Sequence, residues 1–219
     1  MSNLASELRR ALWPWREKSM PSANATNRYL LWIDSVGGFF LCTGNTVRIG
    51  QAVPGNAVEL PLLADLSWHH ATMRRAGESY VLDAHRDVQI NDRQVEASAA
   101  LPTRCELRLG KSLRMNFSRP HPLSSTARLD FLTHHRTQPS SAGIILMAET
   151  CILGPGPKCH VQCKHWRCDL VLYRQGEDLF CRSEGDLECA GQKLGRSGRI
   201  IPGQSVTGAG FSFSLEPLG

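Results

Sequence analysis

The side chains best suited to chemistry in this sequence lie in three polar clusters between residues 47 and 95. The clusters are Gly50-Gln51, Ser67-Trp68-His69-His70 and Asn91-Asp92. Each stands where a short apolar run meets a polar turn, so its side chains would project from loops at one end of a β-scaffold. Their hydroxyl, amide and imidazole groups are hydrogen-bonding groups that can hold a polar ligand. The pattern predicts a binding surface.

These clusters do not predict catalysis. Ser67 and His70 are three positions apart on a turn that enters a strand, and no carboxylate stands in the context of a catalytic triad. We therefore expect a non-enzymatic protein that needs no cofactor.

A second concentration of reactive side chains follows residue 150, where six of the eight cysteines lie. The segment from Cys159 through Cys163 to Cys168 also contains two histidines, and zinc takes four such ligands in a tetrahedron. The spacing matches no common zinc knuckle, and Cys181 and Cys189 fall in predicted strands, where small apolar thiols pack well. We predict no metal site, and a zinc- or thiol-dependent protein is kept as a further alternative.

Short strands must position these clusters. From residue 28 onward, apolar runs at 28–33, 39–43 and 46–50 alternate with glycine and asparagine turns. Further strands are predicted in the first half at 57–60, 71–75, 79–83, 88–90, 105–109 and 113–117. Many short strands joined by short loops predict an all-β protein built as an antiparallel sandwich or barrel.

The pattern repeats after a stretch rich in proline and serine. Gly77-Glu78 recurs as Gly176-Glu177, and Arg75 recurs as Arg174, with an offset of 99 positions in both cases. We interpret the repeat as a duplication of one β-domain, because each copy is long enough to bury its own core. The predicted organisation is an N-terminal tail (1–25), a first β-sandwich (26–119), a linker (120–125) and a second β-sandwich (126–217).

The N-terminal tail and the overall charge suggest where the protein acts. Leu4, Leu8 and Leu12 recur at helical spacing, so residues 2–13 are expected to form a short amphipathic helix or a flexible segment. Basic residues interrupt the tail and leave no signal peptide or membrane span, so we expect a cytoplasmic protein without membrane contact. The net charge of +5 is scattered, and no nucleic-acid partner is predicted.

The first copy resembles the forkhead-associated (FHA) domain family over almost all of residues 28–119. Ile49-Gly50-Gln51, Ser67-x-x-His70, Asn91-Asp92 and Leu109-Gly110 stand in the order and spacing of that family's Ile-Gly-Arg, Ser-x-x-His, Asn-Gly and Leu-Gly motifs. The resemblance implies a β-sandwich whose loops bind phosphothreonine peptides of a partner protein. It implies phosphopeptide contacts at Gln51, Ser67, Trp68, Asn91 and Asp92, with Gly50 and His70 supporting the loops.

Three positions of the first copy depart from that family. Gln51 replaces the phosphate-binding arginine, Trp68 replaces a basic residue and Asp92 replaces a glycine. Glutamine lacks the charge and the bidentate fork of arginine, and losing a charge-assisted contact costs about 1.5–3 kcal/mol. The cations nearby in sequence that could restore the charge are Arg48, Arg74, Arg75 and His69.

We interpret the second copy as a degenerate FHA-like sandwich, which resembles the first copy in its repeat pattern but keeps none of the phosphate-binding residue types. The matching positions hold Trp166 for Ser67, Asp169 for His70 and Ala190 for Asn91. Two functions remain open. One is an FHA-type interaction module that binds a partner protein, including a phosphothreonine peptide, through the first copy. The other is a phosphate-independent assembly scaffold.

Overall fold

The structure is a computed structural model that describes residues 27–219. Its strands are β1 (Arg28–Ile33), β2 (Gly37–Cys42), β3 (Thr46–Gln51), β4 (Leu60–Leu63), β5 (Ala71–Ala76), β6 (Ser79–Ala84), β7 (Val88–Ile90), β8 (Arg93–Gln94), β9 (Ser98–Leu101), β10 (Arg104–Leu109), β11 (Leu113–Ser118), β12 (Ala127–Phe131), β13 (Arg136–Thr137), β14 (Gly143–Leu146), β15 (Thr150–Gly154), β16 (Val161–Gln162), β17 (Leu170–Gln175), β18 (Asp178–Cys189), β19 (Gln192–Arg199), β20 (Ser205–Gly208) and β21 (Phe211–Pro217). No residue from 27 to 219 is helical, which confirms the predicted all-β class. The N-terminal helix predicted for residues 2–13 lies outside the described residues.

Local sequence explains why these segments are strands. In β1, Tyr29, Leu31 and Ile33 are buried while Trp32 between them is half exposed, which is the alternation expected of a pleated strand. Turns with glycine separate the strands. Gly77, with a φ of 62°, closes the β5–β6 hairpin, and this left-handed conformation favours a residue without Cβ.

The repeated arginines occupy matching places in the two halves of the chain. Arg75 Nη1 donates to the backbone oxygen of Met147 at 2.8 Å. Arg174 Nη1 donates to the backbone oxygen of Thr43, also at 2.8 Å. Each arginine therefore bonds a backbone group that belongs to the other half.

The strands form a 15-stranded sheet and a 6-stranded sheet. In the larger sheet β1 lies between β2 and β21, and β11 pairs with β12 across the predicted linker. Each of two buried clusters contains strands from both predicted copies: Leu129 and Ile144 pack in the first cluster, and Leu31 packs in the second. The predicted domain bounds stay a prediction, and the sheet is continuous across residues 120–125.

Most strand pairs are antiparallel, as predicted, but both sheets are mixed. β3 pairs with β4, β2 with β14 and β15 with β16 in parallel. The strand predicted at 57–60 begins only at Leu60, because the Glu59 carboxylate accepts the Arg48 backbone N–H at 2.9 Å and residues 57–59 stay outside the ladder.

The 6-stranded sheet packs one face on the larger sheet. Ile49, Leu82 and Met73 from the smaller sheet share a buried cluster with Leu107 and Phe117 from the larger one. Burying a large apolar side chain stabilises a fold by about 1.5–3 kcal/mol. This core fixes the ends of β3, β5 and β6, and with them the loops that carry the polar clusters.

Among residues 27–219, no helix long and apolar enough to cross a membrane is found.

Candidate functional site

Four loops meet beyond one end of the 6-stranded sheet, and we call them together the loop end: residues 51–59, 64–70, 84–87 and 110–112. Backbone hydrogen bonds join the first two loops. The Gln51 N–H donates to the Ser67 oxygen at 3.1 Å, and the His70 N–H donates to the Ile49 oxygen at 2.8 Å. The end of β3 therefore holds the 64–70 loop along its length.

Gly50 allows these two loops to approach each other. A Cβ at this position would lie 1.8 Å from the backbone oxygen of Trp68, which no side chain can occupy. The Asn56 side chain completes the contact, since its Nδ2 donates to the backbone oxygens of Gln51 and Trp68, each at 2.8 Å. The backbone around Trp68 is thus fixed by several contacts.

The buried side chain of His70 connects the 64–70 loop to the 84–87 loop. It is only 4% exposed, and its Nδ1 accepts the Ser67 N–H at 3.3 Å while its Nε2 lies 2.9 Å from the Asp87 oxygen. Because an amide N–H can only donate, Nδ1 is the acceptor and Nε2–H donates to Asp87. The Asp87 oxygen also accepts the Gly110 N–H at 2.9 Å. One imidazole therefore connects the 64–70 and 84–87 loops, and the 110–112 turn shares its acceptor.

Three of the predicted site residues lie together on this framework. Trp68 is 59% exposed, and its ring lies 4.0 Å from the place where a Gly55 Cβ would stand. Ser67 precedes it, and Gln51 is tied to Ser67 by the backbone bond described above. Both Ser67 and Gln51 are partly exposed. The loop end thus presents an indole, a hydroxyl and a carboxamide to solvent.

Asn91 and Asp92 lie elsewhere, in the turn between β7 and β8. The Asn91 Oδ1 accepts the Glu106 N–H at 2.9 Å, and the Asn91 N–H donates to the Glu106 oxygen at 2.9 Å. Four residues of extended chain separate Asn91 from Asp87, about 13 Å. Contact of this turn with a ligand at Ser67 stays a prediction, and it requires an extended ligand that leaves the Asn91 Oδ1 in place.

The positive φ of Asp92 leads to a prediction about the stability of the turn. Its φ is 63° and that of Asn91 is 49°, the pair of positive values that a two-residue hairpin turn requires. We expect Asp92→Gly to raise the free energy of unfolding by about 0.5 kcal/mol in urea titrations, since glycine adopts this φ without strain.

Asp92→Ala is the matched control for that substitution, because it removes the same charge but keeps Cβ. We expect no gain from it. An equal gain from both variants would show that charge, and not backbone strain, limits this turn.

Three of the cations expected to restore the missing charge are engaged elsewhere. The Arg48 Nη2 lies 2.6 Å from a Glu59 oxygen, and the Arg74 Nε lies 2.6 Å from an Asp83 oxygen. Arg75 donates to the Met147 backbone, as described for the fold. His69 is the remaining residue of that set.

A histidine that the sequence motifs did not indicate lies beside His69. The rings of His69 and His85 are 4.1 Å apart between centroids, and both Nε2 atoms contact the Thr72 hydroxyl. The pairing of β5 with β6 accounts for this contact. Ala71 pairs with Ala84, so the residues before β5 and after β6 must be neighbours.

The positions of the second copy show a different arrangement. Trp166 is buried and stacks on Phe211 with centroids 4.6 Å apart. A Cβ on Gly154 would lie 1.9 Å from an Asp169 carboxylate oxygen, so the close approach seen at the first copy recurs with another partner. Ala190 has a φ of 52° in a tight turn.

The clustered cysteines are free thiols in packed surroundings. Burial raises the pKa of Cys159 to about 11 and that of Cys163 to about 12, so both thiols stay protonated at neutral pH. The Cys159 Sγ lies 3.5 Å from an Asp169 oxygen, and the Cys168 Sγ lies 3.5 Å from the Ser183 hydroxyl. Within residues 27–219, no three histidine, cysteine or acidic side chains are arranged to hold a metal ion.

Comparison with protein-family models finds no match, and comparison with curated proteins finds none either. Among solved structures, the chain is similar to the N-terminal FHA domain from EssC, a component of the bacterial Type VII secretion apparatus. The sequence identity is 9% and the TM-score 0.24, over 87% of this chain and 93% of that chain. A TM-score of this size does not establish a shared fold, so the function proposed below rests on this chain's own residues.

Proposed function

We propose that this protein is an interaction module whose loop end binds an extended segment of a partner protein that carries phosphothreonine. The observation that carries the proposal is Trp68, a 59% exposed indole on a backbone fixed by Gly50 and Asn56. Ser67 and Gln51 beside it supply neutral polar groups for a phosphate or a peptide backbone.

Trp68 has the properties of a binding anchor. Tryptophan is enriched among the residues that dominate protein–protein affinity, because its ring loses large apolar area to solvent when a partner covers it. Since the backbone of Trp68 accepts the Asn56 amide and packs on Gly50, little backbone conformational entropy remains to be lost on binding.

A groove beside the 51–59 loop extends this surface. Its volume is about 690 Å³, and its walls include Val53, Pro54 and Pro61. Apolar walls of this kind accept a hydrophobic side chain. A ligand that contacts Trp68 could therefore place a neighbouring apolar residue in the groove, which favours a peptide over a small ion as the natural ligand.

The engaged arginines favour a second candidate function, a phosphate-independent assembly scaffold. Arg48 already forms an ion pair with Glu59, directly before β4, and Arg74 forms one with Asp83 in β6. A phosphate would have to compete with those carboxylates for the guanidinium groups. The two candidates differ in one measurable property, the preference for a phosphorylated over an unphosphorylated peptide.

We expect Trp68→Ala to weaken peptide binding at least tenfold. A library of threonine-containing peptides, each with its phosphorylated twin, would be titrated against the full chain and the dissociation constants measured by fluorescence anisotropy. Trp32→Ala is the matched control, since Trp32 is 50% exposed but lies on β1 of the larger sheet, away from the loop end. Equal loss in both variants, or in neither, would contradict binding at the loop end.

Gln51→Arg separates the two candidate functions in the same titration. Where the loop end binds phosphate, the added guanidinium should tighten binding of the phosphorylated peptide about tenfold or more and leave the unphosphorylated twin unchanged. Equal affinity for both twins, in the original chain and in this variant, would support the phosphate-independent scaffold.

A further inference from the structure

Two exposed histidines converge on one hydroxyl at the loop end. The His69 Nε2 lies 2.7 Å from the Thr72 Oγ1, and the His85 Nε2 lies 2.9 Å from the same oxygen. The two rings are tilted by 52° with centroids 4.1 Å apart. Thr72 is buried, whereas both histidines are exposed. A ligand from solvent can therefore reach both imidazoles at once.

The backbone fixes this arrangement next to the proposed peptide site. The N–H groups of His85 and Arg86 donate to the His70 backbone oxygen at 3.0 and 3.1 Å. His69 precedes His70 in the chain and lies two residues after Ser67. His69 thus shares the 64–70 loop with Ser67, and the His70 backbone oxygen ties the 84–87 loop, which carries His85, to that loop.

The protonation state of the two rings determines how they hydrogen-bond to the Thr72 hydroxyl. A hydroxyl has one proton, so Thr72 donates to one Nε2 and accepts from the other when both rings are neutral. Once both rings are protonated, both Nε2–H groups donate to Oγ1, and the hydroxyl proton is free to bond another acceptor. Protonation therefore adds positive charge to both exposed rings, each of which also has an Nδ1–H donor, and this suits an anion with several oxygens.

The charged groups around the pair compensate one another. Arg48 is paired with Glu59 on the side of β3, and Arg74 is paired with Asp83 on the side of β5 and β6. The Arg74 guanidinium lowers the pKa of Asp83 to about 2, so that pair stays neutral overall at physiological pH. The histidines therefore decide the net charge of this surface.

The His85 loop carries two further charges. Arg86 and Asp87 follow His85 directly, are exposed, and carry opposite charges. Desolvation, the neighbouring His85 and then Arg48 lower the pKa of His69, so the free pair resists double protonation. An anion bound across both rings removes this repulsion, and proton uptake and anion binding must then assist each other.

We propose that His69, Thr72 and His85 form a proton-coupled anion site that receives the phosphate of the bound peptide. The pair supplies the charge that Gln51 cannot supply. The assignment of the anion as a phosphopeptide rests on the proposed function, whereas the anion site itself rests on the geometry of the three residues. Binding at this site strengthens as the pH falls, because protonated imidazoles supply the charge that the anion pairs with.

Sulfate is the probe that tests the site, because its charge does not change between pH 6.0 and 8.0 and any pH dependence reports on the protein. The full chain would be titrated with sulfate while the imidazole proton resonances are followed by NMR. We expect about tenfold tighter binding at pH 6.0 than at pH 8.0. His69→Gln and His85→Gln should each reduce the affinity at pH 6.0 at least fivefold. His165→Gln, at an exposed histidine elsewhere, should change nothing.

The sulfate titration and the peptide titration together distinguish failure of the anion site from failure of the proposed function. Sulfate affinity that is independent of pH, or unchanged in both glutamine variants, would overturn the anion site. Loss of peptide binding in Trp68→Ala without any effect of the histidine substitutions would keep the interaction module and also overturn the anion site. Histidine-dependent sulfate binding without any peptide ligand would keep the site and overturn the proposed function.

Discussion

Replacing Gly50 with alanine is expected to lower the free energy of unfolding by about 3 kcal/mol and to abolish peptide binding. The new Cβ would lie 1.8 Å from the Trp68 oxygen and 2.7 Å from the Trp68 carbonyl carbon. Both are backbone atoms held by Asn56, so no side-chain rotation can relieve the overlap. Strand β3 and the 64–70 loop must separate, which moves Ser67 and Trp68 from their places.

Gly185→Ala is the control for this substitution. No atom lies within 4 Å of a Cβ built at Gly185, and its φ does not favour glycine. We expect a change within about 0.5 kcal/mol in chemical denaturation at this position. A Gly50→Ala protein as stable as the Gly185→Ala protein would contradict the close approach of the two loops.

The stability of the protein is expected to fall by about 3 kcal/mol between pH 6.5 and pH 4 through His160 alone. His160 is fully buried, and its Nδ1 accepts the Ile152 N–H at 2.9 Å. Its Nε2 is buried without a hydrogen-bond partner among residues 27–219. Burial and the nearby His121 lower the pKa of His160 to about 4.

The sign of the effect follows from proton linkage. In the unfolded chain His160 takes up a proton at about pH 6.5, whereas in the folded chain it stays neutral down to about pH 4. The unfolded state therefore binds more protons in this interval. The stability is highest above pH 6.5, it is lost progressively as the pH falls from the unfolded value to the folded value, and the loss is complete below about pH 4.

His160→Asn tests this contribution, because asparagine keeps an acceptor near the Ile152 N–H but does not titrate. The variant should be less stable than the original chain at pH 7.5, and the difference should shrink or reverse by about 3 kcal/mol at pH 4. Urea titrations at several pH values would measure it. Parallel stability curves for the two proteins would show that His160 is not the titrating group.

Local features of the fold could be predicted from the sequence. The bounds of β1 and β7 agree with the prediction, because alternating apolar side chains and flanking turns report on a strand wherever it pairs. The strands predicted at 71–75 and 79–83 are likewise present as β5 and β6, which pair on either side of Gly77. Such signals depend on neighbours in the chain.

The candidate site could be predicted only in part. Ser67, Trp68 and Gln51 meet because two adjacent loops carry them, whereas Asn91 is held in a separate turn by Glu106. The contact between His69 and His85 depends on the β5–β6 register, which no motif records. The ion pairs that engage Arg48 and Arg74 likewise required side chains from different strands.

The sequence by itself determined that the chain is all-β and that polar groups gather near residues 50 and 67–70. Only the tertiary structure decided that β1 pairs with β21, that the sheets are mixed, and that two histidines share the Thr72 hydroxyl. The physical reason is the range of the interactions. Strand formation depends on local alternation and turns, but the choice of partner depends on which distant surfaces together bury the apolar side chains and satisfy the backbone hydrogen bonds.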